Sequence, residues 1–208
     1  MAGFVMNEIC RAAPYFMLAL LTVACSPTAG APTSAELNQA PLAGAKIGGR
    51  FALIDQDGKR TSDSRFAGHY RIVYFGYTFC PDVCPVDVQK LAMGMRALEK
   101  IDPGLARRVV PIFITVDPER DTPSVLKQFV RAFHPRMVGL TGSPVEIAAV
   151  ARAFAIFYQK GPVRADGGYV VDHSRQAYLF DPEGKPLALL SQEGSPEMIA
   201  AEIRRWAR

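Results

Sequence analysis

The chain has 208 residues, of which 49% are hydrophobic and 21% charged, and its formal net charge is +4. This length and composition are typical of one globular domain with an appendage, and they exclude a chain that is disordered throughout. Lysine and arginine occur singly or in pairs rather than in basic runs, so the sequence predicts no nucleic-acid binding.

The N-terminus has the pattern of an export signal. Arg11 precedes an apolar stretch over residues 12–24, which suits a signal sequence and is shorter than the roughly 20 residues that cross a bilayer. Small residues lead into Cys25, as in bacterial lipoproteins with a lipidated cysteine, although Thr22 stands where a branched aliphatic residue is usual. We predict an export segment over residues 1–24 and lipidation at Cys25, with an uncleaved anchor or an ordinary cleaved signal as alternatives.

Residues 25–45 are rich in Ser, Pro, Thr and Ala and show no hydrophobic periodicity. Such a segment cannot bury enough surface to fold, so we predict a flexible tether there and a folded domain over residues 46–208. Together with the export signal, this organisation predicts a membrane-anchored domain on the periplasmic side of the bacterial cell envelope. The sequence has no repeat or coiled-coil seam, and we therefore expect a monomer.

Within the domain, strand-like and helix-like segments alternate. In chain order we predict a hairpin over 51–61, a strand at 71–75, a helix at 86–99 and a strand at 109–116. A helix that begins at Thr122-Pro123, a further strand and a helix that begins at Ser143-Pro144 follow. A hairpin of 176–180 with 186–190 and a helix that begins at Ser195-Pro196 come last. Each of these three openings pairs a capping side chain with proline at the first helical position. The order predicts an α/β, thioredoxin-like fold, in which helices flank a central mixed sheet that carries an N-terminal hairpin.

Two cysteines lie at the first strand–helix junction, where Cys80 and Cys84 each precede a proline. The residue before proline avoids the helical region, so we expect Cys80 in a loop and Cys84 as the cap of a helix that begins at Pro85. The positive end of that helix is expected to lower the thiol pKa. The spacing is one residue wider than in thioredoxin-type oxidoreductases, which suits two sulfurs on one metal, Cu(I) or Zn, and still permits a disulfide.

Two thiolates alone leave a copper or zinc site incomplete, and the other candidate ligands are the three histidines and the methionines. His173 leads directly into the predicted strand at 176–180, and the loop entering that strand of a thioredoxin-like fold lies beside the cysteine pair. The alternative for His173 is a structural histidine bonded to a backbone carbonyl. His69 and His134 lie in polar turns, and we predict that both are solvated loop histidines.

Three segments, FGYTFCPDVCP, VDPERDTP and DHSRQAYL, resemble in sequence and order the SCO/SenC family of copper-binding proteins, over roughly residues 45–205. The resemblance implies a metallochaperone that binds one copper ion per chain, as Cu(I) or also Cu(II), through Cys80, Cys84 and His173. It further implies a role in assembling the binuclear copper centre of cytochrome c oxidase subunit II, with that subunit or a related copper acceptor as partner. Whether a periplasmic donor chaperone loads the copper stays open.

Five further residues near the motifs are candidates for supporting roles. Asp82 is predicted to tune the site by its charge or to be simply solvated, and Asp172 to fix its loop or to orient the neighbouring histidine. Asp117, Arg120 and Asp121 are predicted to form either a helix-capping loop with an internal Arg–Asp pair or a docking surface for the partner.

The main alternative function is enzymatic. A thiol–disulfide reductase would use Cys80 and Cys84 to keep the cysteines of the copper acceptor reduced. His173 separates the two hypotheses, because a copper site requires this residue and a reductase does not. A peroxidase and a purely structural disulfide are less favoured, since a lone peroxidatic thiol does not resemble this pair.

Overall fold

A computed structural model describes residues 39–207; the predicted export segment, Cys25 and most of the predicted tether lie outside this range. The strands are β1 (Ala52–Asp55), β2 (Arg60–Ser62), β3 (Tyr70–Gly76), β4 (Val109–Thr115), β5 (Val138–Thr141), β6 (Tyr158–Lys160), β7 (Val171–His173), β8 (Ala177–Phe180) and β9 (Pro186–Leu190). The α-helices are α1 (Val83–Ile101), α2 (Pro103–Arg107), α3 (Pro123–Phe133), α4 (Pro144–Ala153) and α5 (Pro196–Trp206), and a 3-10 helix spans Asp63–Phe66.

Seven strands form one mixed sheet in the order β2-β1-β5-β4-β3-β8-β9. The central strands β3, β4 and β5 run parallel, whereas β1 and β8 join them antiparallel. A second, two-stranded antiparallel sheet consists of β6 and β7. The order confirms the predicted thioredoxin-like fold with its N-terminal hairpin.

The core lies on both faces of the sheet. Strands β3 and β4 are nearly continuous apolar runs, as expected of parallel strands that are covered on both sides. Ile72 and Tyr74 of β3 pack into the layer formed by α1, α3 and α5. The alternate residues Val73 and Phe75 pack with α4 and the N-terminal hairpin.

The predicted helix starts are confirmed at all three capped openings. The hydroxyl groups of Thr122, Ser143 and Ser195 each accept a hydrogen bond from a backbone N–H in the first turn. Ser143 and Glu146 form a complete capping box, which fixes the start of α4. The sequence did not predict α2 or the small β6–β7 sheet.

Residues 39–45, assigned to the tether from sequence, form turns that contact the domain. Ala40 is buried in the core, and the backbone N–H of Leu42 donates to the carbonyl of Leu187 at 3.0 Å. The folded part of the described chain therefore extends at least to residue 40. Among the helices within residues 39–207, none is long and apolar enough to cross a membrane.

Parallel strands bring the candidate site to one edge of the sheet. Strand β3 ends at Gly76 and β4 at Thr115, so the loops that follow them leave from the same edge. Strand β8 is antiparallel to β3 and begins at Ala177, which pairs with Tyr74 near that edge. The loop after β3 and the segment before β8 consequently meet there, as ligand-bearing loops do in open α/β sheets.

Candidate metal site

Three side chains from three different segments converge at this edge. Cys80 lies in the loop after β3, Cys84 in the first turn of α1, and His173 at the end of β7. Their ligand atoms all lie within 4.8 Å of one another, and Cys84 Sγ is 2.9 Å from His173 Nε2. Both cysteines are free thiols. Two sulfurs and one imidazole nitrogen form a donor set that soft metal ions prefer.

Cys84 is fully buried and is the second residue of α1 rather than its cap, because the helix begins at Val83 and not at Pro85. Burial raises the pKa of the Cys84 thiol well above its ordinary value, and the neighbouring Cys80 adds to the increase. The predicted lowering of this pKa by the helix terminus is wrong for the metal-free protein, because desolvation of the thiolate outweighs the helix dipole. Gly76 makes the burial possible, since a Cβ atom there would lie 3.2 Å from Cys84 Sγ.

Cys80 is the more accessible of the two sulfurs. It is partly exposed, and its Sγ accepts a hydrogen bond of 3.4 Å from the backbone N–H of Cys84. The first turn of α1 therefore directs a backbone N–H at Cys80 Sγ, while Cys84 Sγ lies in the protein interior. The pair is therefore asymmetric, with one reachable sulfur and one enclosed sulfur.

His173 has the contact with a backbone carbonyl that one interpretation of its sequence position predicted, and its second ring nitrogen faces the cysteine pair. Its Nδ1 is 2.9 Å from the carbonyl oxygen of Ser174, which assigns the proton to Nδ1 and turns Nε2 toward Cys84. The rings of Tyr74 and Tyr77 stand edge-on to the imidazole at centroid distances of 6.3 and 5.9 Å. Burial lowers the pKa of His173, which favours the neutral form that a metal ligand needs.

The two carboxylates beside the ligands are both exposed. Asp82 precedes α1 and makes no side-chain capping bond. Asp172 is next to His173 on β7, and neighbouring residues of a strand point to opposite faces. The Nδ1 atom of His173 is held by Ser174, so the structure gives the orienting role predicted for Asp172 to a backbone carbonyl.

The loop after β4 contains the predicted internal Arg–Asp pair. Arg120 Nε donates to Asp117 Oδ2 at 2.5 Å, and the Arg120 guanidinium stacks 3.6 Å from the centre of the Tyr169 ring. The hydroxyl group of Tyr169 donates to the second oxygen of Asp117 at 2.8 Å. Asp117 is buried while Arg120 is partly exposed, so within this pair Arg120 is the residue a partner could contact.

Asp121 is fully buried and connects the two loops at this edge. It accepts hydrogen bonds from the backbone N–H and hydroxyl group of Thr78, at 3.0 and 2.6 Å, and from the hydroxyl group of Thr115 at 2.6 Å. Burial raises the pKa of Asp121, which these hydrogen bonds oppose. The Asp121 side chain is thus enclosed between the two loops and is not available to a partner. Docking of a partner to the loop after β4 stays a prediction for the exposed part of that loop.

An ion pair between buried Asp87 and half-exposed Arg175 was not predicted from the sequence. Asp87, one helical turn after Cys84, is completely buried and pairs with Arg175, two residues after His173. One signal was available: positions 84, 87, 88 and 91 share a face of α1, and Asp87 is the carboxylate on this otherwise apolar face.

The remaining histidines differ from each other. His69 is exposed, as predicted. His134 is only 1% exposed, with Nδ1 accepting from the backbone N–H of Arg136 and Nε2 lying 3.4 Å from Glu99, so its prediction as a solvated loop histidine is wrong. The sequence around His134 is typical of a polar turn and does not indicate that this turn contacts α1.

Two free thiols and an imidazole at the first strand–helix junction of a mixed sheet define a thioredoxin-like protein with a candidate site for a soft metal ion. The SCO1/SenC family model matches residues 39–208, and the chain belongs to this family.

Relatives within the family are similar over most of the described domain. The mitochondrial SCO2 homologue of Bos taurus is 44% identical over 157 residues, which are 76% of this chain and 58% of that protein. The chain thus spans little more than half the length of that curated relative. Arabidopsis thaliana ScoI with copper bound is 40% identical at a TM-score of 0.70, covering 76% of this chain and 95% of that one. Bradyrhizobium japonicum ScoI with copper bound has the same identity and TM-score, covering 77% and 99%.

Proposed function

We propose that this protein is a metallochaperone that binds one copper ion through Cys80 Sγ, Cys84 Sγ and His173 Nε2. The observation that carries the proposal is the convergence of these three atoms within 4.8 Å. Two solved relatives, from Arabidopsis thaliana and Bradyrhizobium japonicum, have copper bound, which supports copper rather than zinc as the ion. Soft sulfur donors favour Cu(I), and the imidazole together with thiolate also suits Cu(II).

The ligands have properties that suit transfer of a bound ion. Enclosed Cys84 provides a fixed sulfur, while Cys80 and His173 are partly exposed and can be reached by the ligands of an acceptor. Metal binding must displace the Cys84 proton, because burial holds the pKa of its thiol high in the metal-free protein. Ligand exchange at Cys80 would then release copper stepwise to the acceptor.

The proposed acceptor is cytochrome c oxidase subunit II or a related copper protein in the bacterial cell envelope. Its support is the sequence resemblance of the three motifs and the family membership. The envelope location is supported by the apolar stretch before Cys25, at which we propose lipidation. A periplasmic copper donor would transfer copper to this protein, which would then transfer it to the acceptor.

A second candidate function is reduction of an acceptor disulfide, which the asymmetry of the cysteine pair favours. Cys80, the accessible cysteine of the pair, would attack one acceptor sulfur as its thiolate and release the other as a thiolate. Cys84 would then attack the mixed disulfide, forming a Cys80–Cys84 disulfide and releasing the second acceptor thiol. Two electrons thus pass from the cysteine pair to the acceptor.

An anaerobic Cu(I) titration of the reduced, full-length protein against a competing chelator tests the copper site. We expect one tightly bound ion per chain, and His173→Ala should weaken binding by at least about 10-fold because it removes a ligand. His69→Ala is the matched control, since His69 is exposed and outside the cluster, and should bind copper like the wild type. Equal affinity of His173→Ala and wild type would contradict the three-ligand site and favour the reductase.

A further inference from the structure

An ion pair between buried Asp87 and half-exposed Arg175 connects the two segments that carry Cys84 and His173. Arg175 Nε donates to Asp87 Oδ2 at 2.9 Å and Arg175 Nη2 to Asp87 Oδ1 at 2.7 Å, so the guanidinium holds both carboxylate oxygens. Asp87 is three residues after Cys84 on α1, and Arg175 is two residues after His173. The ion pair therefore joins the same two segments that a bound metal ion would join.

A third donor completes the arrangement around Asp87. The hydroxyl group of Tyr74 donates to Asp87 Oδ2 at 3.0 Å, and its ring stands edge-on to the His173 imidazole. Asp87 is completely buried, whereas the side chain of Arg175 remains 46% exposed. Burying a charged carboxylate is costly unless it is paired and hydrogen-bonded, and these three hydrogen bonds supply both.

The segment after His173 is also held on its other side. The backbone N–H of Ser174 donates to the Phe157 carbonyl at 2.9 Å, and the Phe157 N–H donates to Ser174 Oγ at 3.0 Å. Gln192 Nε2 donates to the carbonyl of Arg175 at 3.3 Å. The segment between β7 and β8 is thus hydrogen-bonded to Phe157 and Gln192, and its Arg175 side chain is bonded to Asp87 of the cysteine-bearing helix.

We propose that Arg175 and Asp87 are positioning residues that hold the His173 imidazole against the two sulfurs before copper arrives. The inference rests on the proposed copper site, and neither side chain belongs to the cluster of candidate ligands. A preorganised ligand loses less conformational freedom on binding, so the affinity for copper depends on the ion pair. Partners that orient a ligand histidine are typically worth about 10- to 100-fold in metal affinity.

Arg175→Ala, made in the full-length protein, tests the proposal through its Cu(I) affinity. We expect a loss of about 10-fold, the lower end of the range for orienting partners. Arg175→Lys keeps the charge but not the paired hydrogen bonds, and should lose less. The matched control is Arg60→Ala, which removes the exposed ion pair with Glu146 on the N-terminal hairpin and should bind copper like the wild type.

A double-mutant cycle with His173→Ala separates positioning from a general effect on folding. If Arg175 acts through His173, Arg175→Ala should change the affinity by less than about 2-fold once the imidazole is absent. An equal loss in both backgrounds would overturn the positioning role, since Arg175 would then act on the fold or the sulfurs. If Arg175→Ala fails to fold, as judged by circular dichroism, Arg175→Lys replaces it in the same cycle.

The outcomes also distinguish this inference from the proposed function. If His173→Ala weakens copper binding and the Arg175 variants do not, only the positioning role is overturned. If His173→Ala binds copper like the wild type, the three-ligand site fails and the positioning role fails with it. A loss in Arg175→Ala that disappears in the His173→Ala background supports both.

Discussion

The two ring nitrogens of His173 have different partners, and this determines what the residue can do. Nδ1 is bonded to the carbonyl oxygen of Ser174, so Nε2 carries the lone pair and faces Cys84. A backbone carbonyl is a partner that cannot rotate away or titrate. The ring is therefore held as a structural histidine while its other nitrogen stays available as a ligand.

Tyr77 contributes a hydrogen bond that secures the strand carrying His173. Its buried hydroxyl oxygen accepts from the backbone N–H of Val171 at 3.2 Å. We predict that Tyr77→Phe lowers the free energy of unfolding by about 1–2 kcal/mol, because a buried N–H loses its acceptor. Urea denaturation of the reduced, metal-free protein measures this change.

Tyr178→Phe is the control for that measurement. Tyr178 is also buried, but within residues 39–207 its hydroxyl group makes no hydrogen bond, so removing it should change the stability by less than about 0.5 kcal/mol. Equal effects of the two substitutions would show that the Tyr77 hydrogen bond does not stabilise the fold.

At the level of elements, helices α1 and α5 approach each other closely at a glycine. A Cβ atom on Gly94 would lie 2.5 Å from Ile199 Cγ2 and 2.8 Å from Ile199 Cβ. Contacts this short cannot persist, so a larger residue would push α5 away from α1. Glycine lowers the intrinsic stability of α1 but allows α5 to pack this closely.

We predict that Gly94→Ala destabilises the protein by about 1–2 kcal/mol, since the overpacking outweighs the gain of up to about 1 kcal/mol in helix propensity. Gly104→Ala in α2 is the matched control, because its nearest neighbour would be 3.5 Å away, and it should be neutral or stabilising. The Tm values of both variants, measured by thermal unfolding, test this prediction. A rise in Tm for Gly94→Ala would mean that α5 adjusts without cost.

Elements with local signals could be predicted from sequence, whereas elements that depend on distant contacts could not. Caps at Thr122, Ser143 and Ser195 are each followed by proline, and every one begins a helix. Strands β6 and β7 have three residues each and pair only with one another, so too few residues carry a periodic pattern.

The same distinction applies to the candidate site. The convergence of Cys80, Cys84 and His173 could be predicted because motif order and fold class place them at one edge. The Asp87–Arg175 pair spans 88 residues and was not predicted, since neither residue has a partner nearby in sequence. Burial of Cys84 likewise depends on packing against β3, so the direction of its thiol pKa could not be read from the helix start.

For the whole molecule, the first described residues belong to the folded domain. Ala40 is buried and Leu42 is hydrogen-bonded to Leu187. We predict that a version starting at residue 46 is less stable than one starting at residue 39, by about 1–3 kcal/mol, because it loses this hydrogen bond and some apolar burial. Comparing the Tm of the two versions tests the boundary, and equal values would return residues 39–45 to the tether.

The sheet order also determines which strands are at the edges and could pair with another molecule. An exposed edge strand can pair with an edge strand of another molecule, which leads to aggregation. One edge, β2, has only three residues and begins with charged Arg60. The other edge, β9, begins with Pro186, which has no N–H, and its next carbonyl, that of Leu187, is already bonded to Leu42. Both ends of the sheet therefore offer less backbone for intermolecular strand pairing than long, uncovered edge strands would.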